Sequence, residues 1–413
     1  MKKKEKVAIF VDGIFIPSYS GAANRFHFLS KNIQKYTNTD IVVILCDRGW
    51  SDPVLIKKES FTTYIVHPKL FKDKILLEEI LTKENVDILQ FSTLELIIEL
   101  GIPLAFKLKK YLIFESHYDD LEFAKSVGIK KEQLKEIEYF QNTFGKYFDK
   151  VISLSGEDNI TRNLKIKKEK IEIIPSGVEL DDFKTNCFDL KSKKILFFGN
   201  LFFDVNLESL RLIKAKIYPK LKEKGFNFSI VGDISKKDKE YLEDENFSIV
   251  GKVDNLQEHF KDTTFALAPV LHGTGIRIKI LNYLNAGIPT ITTSQGARGF
   301  PKKDMLIIRD NLDEYPELIS DLITNKVDSL RRISLKERDY IRKNMSWEKT
   351  AIKISNIYSK LMTNRKTNKS RALEIIKNID FKEPSWIKDV IRRKRFKRNK
   401  TYVKLKDRFI KIN

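Results

Sequence analysis

The segment Phe265–Phe300, FALAPVLHGTGIRIKILNYLNAGIPTITTSQGARGF, decides the fold. It reads as a buried strand, a glycine-rich turn, a helix and a second strand, which is one βαβ unit of an open α/β sheet. The turn holds Gly273, Thr274 and Gly275, with Arg277 and Lys279 following on the first turn of the helix. A helix N-terminus presents free N–H groups and a partial positive charge, so it is a natural seat for phosphate. Glycine lets the backbone approach an anion closely. Ala286-Gly287-Ile288-Pro289 closes the helix, with glycine as the stop and proline beyond it. A phosphate-bearing ligand fits this pattern. An ordinary βαβ turn that needs glycine only for geometry fits it too.

Working outward, the same alternation recurs along the chain. Apolar runs at 7–11, 41–46, 62–66, 86–91, 111–115, 151–155 and 171–174 are separated by longer amphipathic stretches. Several runs are continuous rather than alternating, as expected for strands covered on both faces of a mostly parallel sheet. A second series has strands at 195–198, 226–231, 247–250, 265–268, 289–293 and 305–308. The fold class is therefore α/β, with two Rossmann-like domains facing across a cleft. The expected domains are 1–183 and 194–346, with a polar linker at 184–193. A closing helix at 347–362 and a basic tail at 363–413 follow. Ligands of open α/β sheets bind beyond the carboxyl ends of the strands, so the cleft is the default site.

The bulk properties agree. A chain of 413 residues is too long for one core, and 42% hydrophobic content is globular. The two cysteines, Cys46 and Cys187, lie far apart and indicate no disulfide framework, which suits a reducing cytoplasm. Asp12 interrupts the first apolar stretch and no small-residue cleavage site follows, so the N-terminus reads as a first strand rather than a signal peptide. No apolar run approaches the roughly 18 residues that span a bilayer. The net charge of +21 is unevenly placed: residues 363–413 hold 18 Lys and Arg against 5 Asp and Glu.

Candidate site residues sit at expected strand exits. Gly199-Asn200, Gly232-Asp233 and Gly251-Lys252-Val253 each follow an apolar run, ahead of the 273–275 turn. Single glycines are ordinary turn residues, but their joint placement reads as one pocket rim. In the first half, Ser18–Ala23, which contains Gly21, opens a helix after the first strand. His117, in FESHYDD, ends a strand where it would hydrogen-bond a sugar hydroxyl or carry a proton, although a lone His is more often structural or solvated. His272 borders the phosphate turn and is the second histidine candidate. Pro175-Ser176-Gly177 makes a rigid turn, and Asp181-Asp182 reads as a solvated cap. There is no metal-spaced Cys/His cluster, no GxSxG elbow and no P-loop, so no metal is expected.

Together these motifs resemble the retaining glycosyltransferases of the GT-B fold, glycosyltransferase family 4 (group 1) in particular, over roughly residues 5–362. APVLHGTGIRIKILNYLNAGIPTITTSQGARGF is similar to the family's donor-site segment, in a form where a GTxxK turn replaces Glu-Gly-Phe-Gly. VISLSGEDNITRNL with IEIIPSGVELDDF resembles the passage out of the N-terminal domain. ILFFGNLFFDVNLESLRLI resembles the first strand and helix of the C-terminal domain, and SWEKTAIKISNIYSKL the closing helix. The resemblance implies that Gly21, Gly199 and Asn200 lie near the donor phosphates and that Gly251–Val253 border the nucleobase. It implies that Gly273–Gly275 cradle phosphate and sugar, and that His117 is the active-site histidine beside the transferred sugar. The implied reaction moves a sugar from a nucleotide-sugar to a glycan or lipid-linked acceptor with retention. It needs no metal and no cofactor, and it serves cell-surface polysaccharide synthesis. Arg277 and Lys279 would stabilise the departing diphosphate.

Two departures stand out. The family's paired glutamates are Thr274 and Asn282 here, and Asn282 keeps one carbonyl acceptor without charge. The family's Arg and Lys after the first C-domain strand are replaced by Phe202, Phe203 and Asp204, so Arg277 and Lys279 are expected to compensate. A non-catalytic binding or scaffold protein of the same fold remains the alternative, with a nucleotide-sugar epimerase as the third. In the tail, the basic amphipathic stretch 385–412 reads as a contact for an anionic membrane surface, placing the enzyme peripherally on the inner face of the plasma membrane. Nucleic-acid binding is the less favoured reading of that charge, beside a plain solvated tail.

Overall fold

The computed structural model describes residues 4–13, 21–47, 52–126, 128–157 and 166–363. The tail expected to meet a membrane, 385–412, lies outside the described residues. Two sheets organise the rest. The first runs β3-β4-β2-β1-β5-β6-β7-β8. Its strands are β1 (Glu5–Asp12), β2 (Thr39–Cys46), β3 (Val54–Lys58), β4 (Thr62–Val66), β5 (Ile88–Phe91), β6 (Tyr111–Ser116), β7 (Lys150–Ser153) and β8 (Ile171–Ile173). The second runs β11-β10-β9-β12-β13-β14. Its strands are β9 (Lys194–Phe198), β10 (Asn227–Val231), β11 (Phe247–Gly251), β12 (Phe265–Ala268), β13 (Thr290–Thr292) and β14 (Ile307–Ile308).

Every pairing between these strands is parallel except β3 with β4. Central strands such as β1 are covered on both faces, and Val7 to Phe10 have no exposed surface. That is why they read as unbroken apolar runs. The antiparallel β3 is not among the expected strands. It is an edge strand whose Lys57 and Lys58 face water, and charge on an edge protects it from pairing with other chains. The last expected strand, 305–308, shrinks to Ile307–Ile308, because Lys303–Met305 forms a 3-10 turn. Pro289 falls outside β13, since a proline cannot donate to a central ladder.

In each sheet the chain winds one way and then returns to the middle. The reversal lies between β1 and β5 in the first sheet and between β9 and β12 in the second. Ligands of doubly wound sheets gather at such points. The helices leaving the second reversal are Asp204–Leu212 after β9 and Ile278–Asn285 after β12.

The chain passes between the domains twice, side by side. Val178 N–H donates to Met345 O at 2.9 Å and Trp347 N–H donates to Val178 O at 3.3 Å. A Cβ on Gly177 would sit 2.6 Å from Trp347 N, so only glycine fits this crossing. The closing helix, Trp347–Thr363, lies on the first domain. Trp347, Ile354, Ile357 and Tyr358 pack with Phe26, Leu29 and Ile33 of the Gly21–Tyr36 helix and with Val7 and Ile9 of β1. Each such buried side chain contributes roughly 1.5–3 kcal/mol. The stretch expected as a linker, 184–193, packs on the second domain. Cys187 is buried, and its N–H donates to Ala286 O at 2.8 Å while its carbonyl accepts from Thr263 N–H at 3.0 Å. Asp181 and Asp182 are exposed on a 3-10 turn. Among the described residues no helix is long and apolar enough to cross a membrane.

Candidate donor site in the interdomain cleft

The glycines predicted to line a rim meet at adjacent strand ends. Gly199 N–H donates to Val231 O at 3.0 Å, and Gly232 N–H donates to Gly251 O at 2.8 Å. These bonds stitch together the carboxyl ends of β9, β10 and β11. Gly232 has φ +150°, and a Cβ there would lie 1.8 Å from Gly199 O, so no side chain fits. Around Gly251 the opposite holds: a Cβ there would meet nothing within 4 Å, which leaves open ground beside the backbone. Val253, two residues on, is partly buried against the apolar cluster containing Phe260.

The turn between β12 and its helix is held from several sides. Gly273 and Gly275 have φ of +94° and +79°, left-handed values that suit glycine. Gln295 donates from its side chain to Gly273 O. Arg277 is the residue before the helix, which begins at Ile278, so it does not lie on the first turn as its spacing implied. Its guanidinium folds back onto Thr274 O at 3.1 Å and His272 O at 3.0 Å, fastening the turn. Thr274 Oγ1 is buried without a hydrogen-bond partner.

Lys279 does lie on the first turn. Its ammonium donates to Asn206 Oδ1 at 2.7 Å and sits 4.3 Å from the centre of the Phe197 ring. Asn206 donates in turn to Asn200 O at 2.8 Å, and Asn200 Oδ1 accepts from Phe202 N–H at 3.0 Å. A Cβ on Gly199 would lie 3.0 Å from the ammonium, so the bare glycine lets that cation pack against the strand end. Burial, aided by the nearby positive Arg277, pushes the Lys279 pKa down to about 7. A cation short of counter-charge at the end of β9 and at a helix N-terminus is prepared for an anion. Asn282 follows one turn later on the same helix, half-buried. Phe202 and Phe203 are exposed at the rim.

The first domain meets this turn at His117. A Cβ on Gly275 would lie 2.8 Å from His117 O, so the two strand exits touch across the cleft. The imidazole is 8% exposed, its Nε2 lacks a hydrogen-bond partner, and it lies 3.9 Å from Glu115 Oε2. Its ring packs 5.0 Å from that of Phe26. Gly21 begins the Gly21–Tyr36 helix, and residues 14–20 before it lie outside the described residues. His272 is exposed and pairs with Glu208 at 3.5 Å, on the outer side of the turn. Ionic contacts span the domains: Arg298 reaches Glu122 at 2.6 Å and Lys303 reaches Glu157 at 2.8 Å. Among the described residues no group of three or more His, Cys, Asp or Glu is placed to hold a metal ion.

Sequence reasoning misses Asn206 and Gln295, which aim Lys279 and pin Gly273. No motif marks either one; each is an ordinary polar residue until folding brings it to the turn.

Comparisons with known proteins agree with this fold. Residues 192–325 match the family model described as "Glycosyl transferases group 1". A relative described as an uncharacterized 44.6 kDa protein in the cps region of Klebsiella pneumoniae is 25% identical over 206 residues, 46% of this chain and 53% of the relative. The match thus spans about half the length of that relative. Sucrose-phosphate synthase of Thermosynechococcus elongatus superposes with TM-score 0.67 at 15% identity, covering 87% of this chain and 99% of the other. HepE of Anabaena, solved with UDP, gives 0.65 at 12% identity over 86% and 99%. The chain folds as a two-domain GT-B protein, and residues 192–325, in its second domain, match the group 1 glycosyltransferase model.

Proposed function

We propose that the protein is a retaining glycosyltransferase that moves a sugar from a nucleotide-sugar to a glycan or lipid-linked acceptor in cell-surface polysaccharide synthesis. The observation that carries this reading is the Lys279 ammonium. It is held by Asn206 beneath the bare Gly199, beside the N-terminus of the Ile278–Asn285 helix and opposite His117. The HepE structures with UDP and with UDP-glucose, and the cps-region relative, support a nucleotide-sugar donor and a polysaccharide pathway.

In this reading the bond between sugar C1 and the diphosphate oxygen breaks while C1 joins the acceptor oxygen on the same face, and the acceptor's hydroxyl proton passes to the departing diphosphate. Negative charge grows on the diphosphate. Lys279 and the free N–H groups at the helix start receive it. The Gly199–Gly232–Gly251 row lets the nucleotide lie against backbone. The His117 ring and Thr274 Oγ1, which is buried without a partner, offer hydrogen bonds to the sugar from the two domains. Donor and acceptor meet in the cleft without a required metal.

Asn282 and Thr274, where the resembling family has glutamates, favour a second reading as a binding protein without turnover. One experiment separates the two. Nucleotide-sugars are screened by thermal shift in EDTA, and the best binder is assayed for transfer to a lipid-linked or oligosaccharide acceptor. Binding with transfer supports the enzyme. Binding without transfer to any acceptor supports the second reading, and no binding overturns both.

A further inference from the structure

We propose that Glu115 is a positioning residue for His117, kept in place by a buried hydrogen-bonded chain that starts on the closing helix at Tyr358. The proposal rests on the reading that His117 faces the transferred sugar. Glu115 lies in β6 and His117 just beyond its end, and the two side chains approach to 3.9 Å. Glu115 is wholly buried, and so is Arg25, whose Nε donates to Glu115 Oε1 at 2.7 Å. Gln90 on β5 donates to Oε2 at 2.7 Å, and Tyr358 OH donates to Gln90 Oε1 at 2.6 Å. Arg25 also donates to Ile174 O at 3.1 Å and to Ser176 Oγ at 3.4 Å. Five segments therefore join one network around this carboxylate: the Gly21–Tyr36 helix, β5, β6, the exit of β8 and the closing helix.

Such a cluster is an expensive way to fill a core. Well-packed apolar side chains of similar volume do so at equal or lower cost, so the charges call for a role beyond stability. The role follows from what Oε2 faces. Besides Gln90 it approaches His117 Nε2, a buried nitrogen with no hydrogen bond, at 3.9 Å. A shift of about 0.7–1.2 Å makes this a hydrogen bond. A carboxylate beside one ring nitrogen fixes the tautomer and the ring's orientation, and so decides what the other nitrogen offers a ligand. Because Tyr358 belongs to the helix that returns from the second domain, the ring is set only when that helix is docked.

The test uses the full chain with ring-labelled histidine. Five histidines keep the spectrum assignable, and a His117→Gln sample identifies the signal. Ring nitrogen shifts and donor kinetics are measured for Glu115→Gln and Tyr358→Phe. Tyr358→Phe leaves both buried charges paired and serves if Glu115→Gln does not fold. The proposal expects the His117 nitrogen shifts to change in each folded variant. It also expects kcat to drop about tenfold or more in Glu115→Gln, and less in Tyr358→Phe, with donor KM within about twofold. Unchanged shifts in a folded variant overturn it. Changed shifts with unchanged kcat overturn it as well. Ring shifts need no substrate, so changed shifts in a protein that transfers no sugar uphold the pairing and count against the glycosyltransferase reading alone.

Discussion

The two domains treat a buried cation in opposite ways. Behind β6, Arg25 is enclosed with Glu115, and the two are joined by hydrogen bonds to each other and to Gln90, Ile174 and Ser176. At the end of β9, Lys279 has a neutral amide and an aromatic ring for company, and its ammonium lies against the face of Gly199. The first arrangement is finished without a ligand; the second is short of one negative charge. The difference teaches where to look for a binding site: not at the most polar cluster, but at the one whose electrostatics are incomplete.

If that contrast is right, removing each cation has opposite consequences for stability. Arg25→Met strands the Glu115 carboxylate in the core and should lower unfolding stability by about 3–5 kcal/mol, read by urea denaturation. A loss below about 1 kcal/mol would break the comparison. Lys279→Met removes a strained charge, so its melting temperature should stay level or rise. Its kcat/KM for the donor should fall by roughly ten- to a hundredfold, the worth of a charged hydrogen bond of about 1.5–3 kcal/mol.

The pH dependence sharpens the point. The Lys279 pKa is lowered to about 7 by burial and then by Arg277. Between about pH 7 and its unfolded value the unfolded chain holds this proton and the folded chain does not, so the group's contribution to stability rises with pH across that window. A bound diphosphate raises the pKa again, so binding should take up a proton at pH 8 and weaken as pH rises above 7. Calorimetry of UDP binding in two buffers of different ionisation heat measures that uptake, which should vanish in Lys279→Met. The smallest expected effect is Asn282→Glu, which should tighten the donor several-fold by restoring a charged acceptor worth about 1 kcal/mol. Weaker binding would show that Asn282 is fitted to a different contact.

Much of the architecture is legible because it is written in local pattern. Strands buried on both faces announce themselves as apolar runs, and Gly287-Ile288-Pro289 stops a helix wherever it occurs. β3 is hidden because an exposed edge strand with lysines carries no such signature. Cys187 shows why 184–193 reads as a linker: the polar composition of the stretch masks a buried anchor. In the site, the glycines at 199, 232 and 251 are visible as a set, since each follows a strand. Spacing puts Arg277 a residue too far into the helix, and its side chain serves the turn itself. Asn206 and Gln295 have no sequence signal, and neither does the Arg25–Glu115–Gln90–Tyr358 chain, whose members lie up to 333 positions apart, from Arg25 to Tyr358.

What the sequence determined by itself was the class: hydrophobic periodicity and turn residues are local, and they specify two wound sheets with a glycine-lined rim. What only the tertiary structure decided was which polar groups are complete and which are not. Burial and hydrogen-bond partners depend on segments distant in the chain, and a residue's charge acquires its cost, and its use, only from what surrounds it.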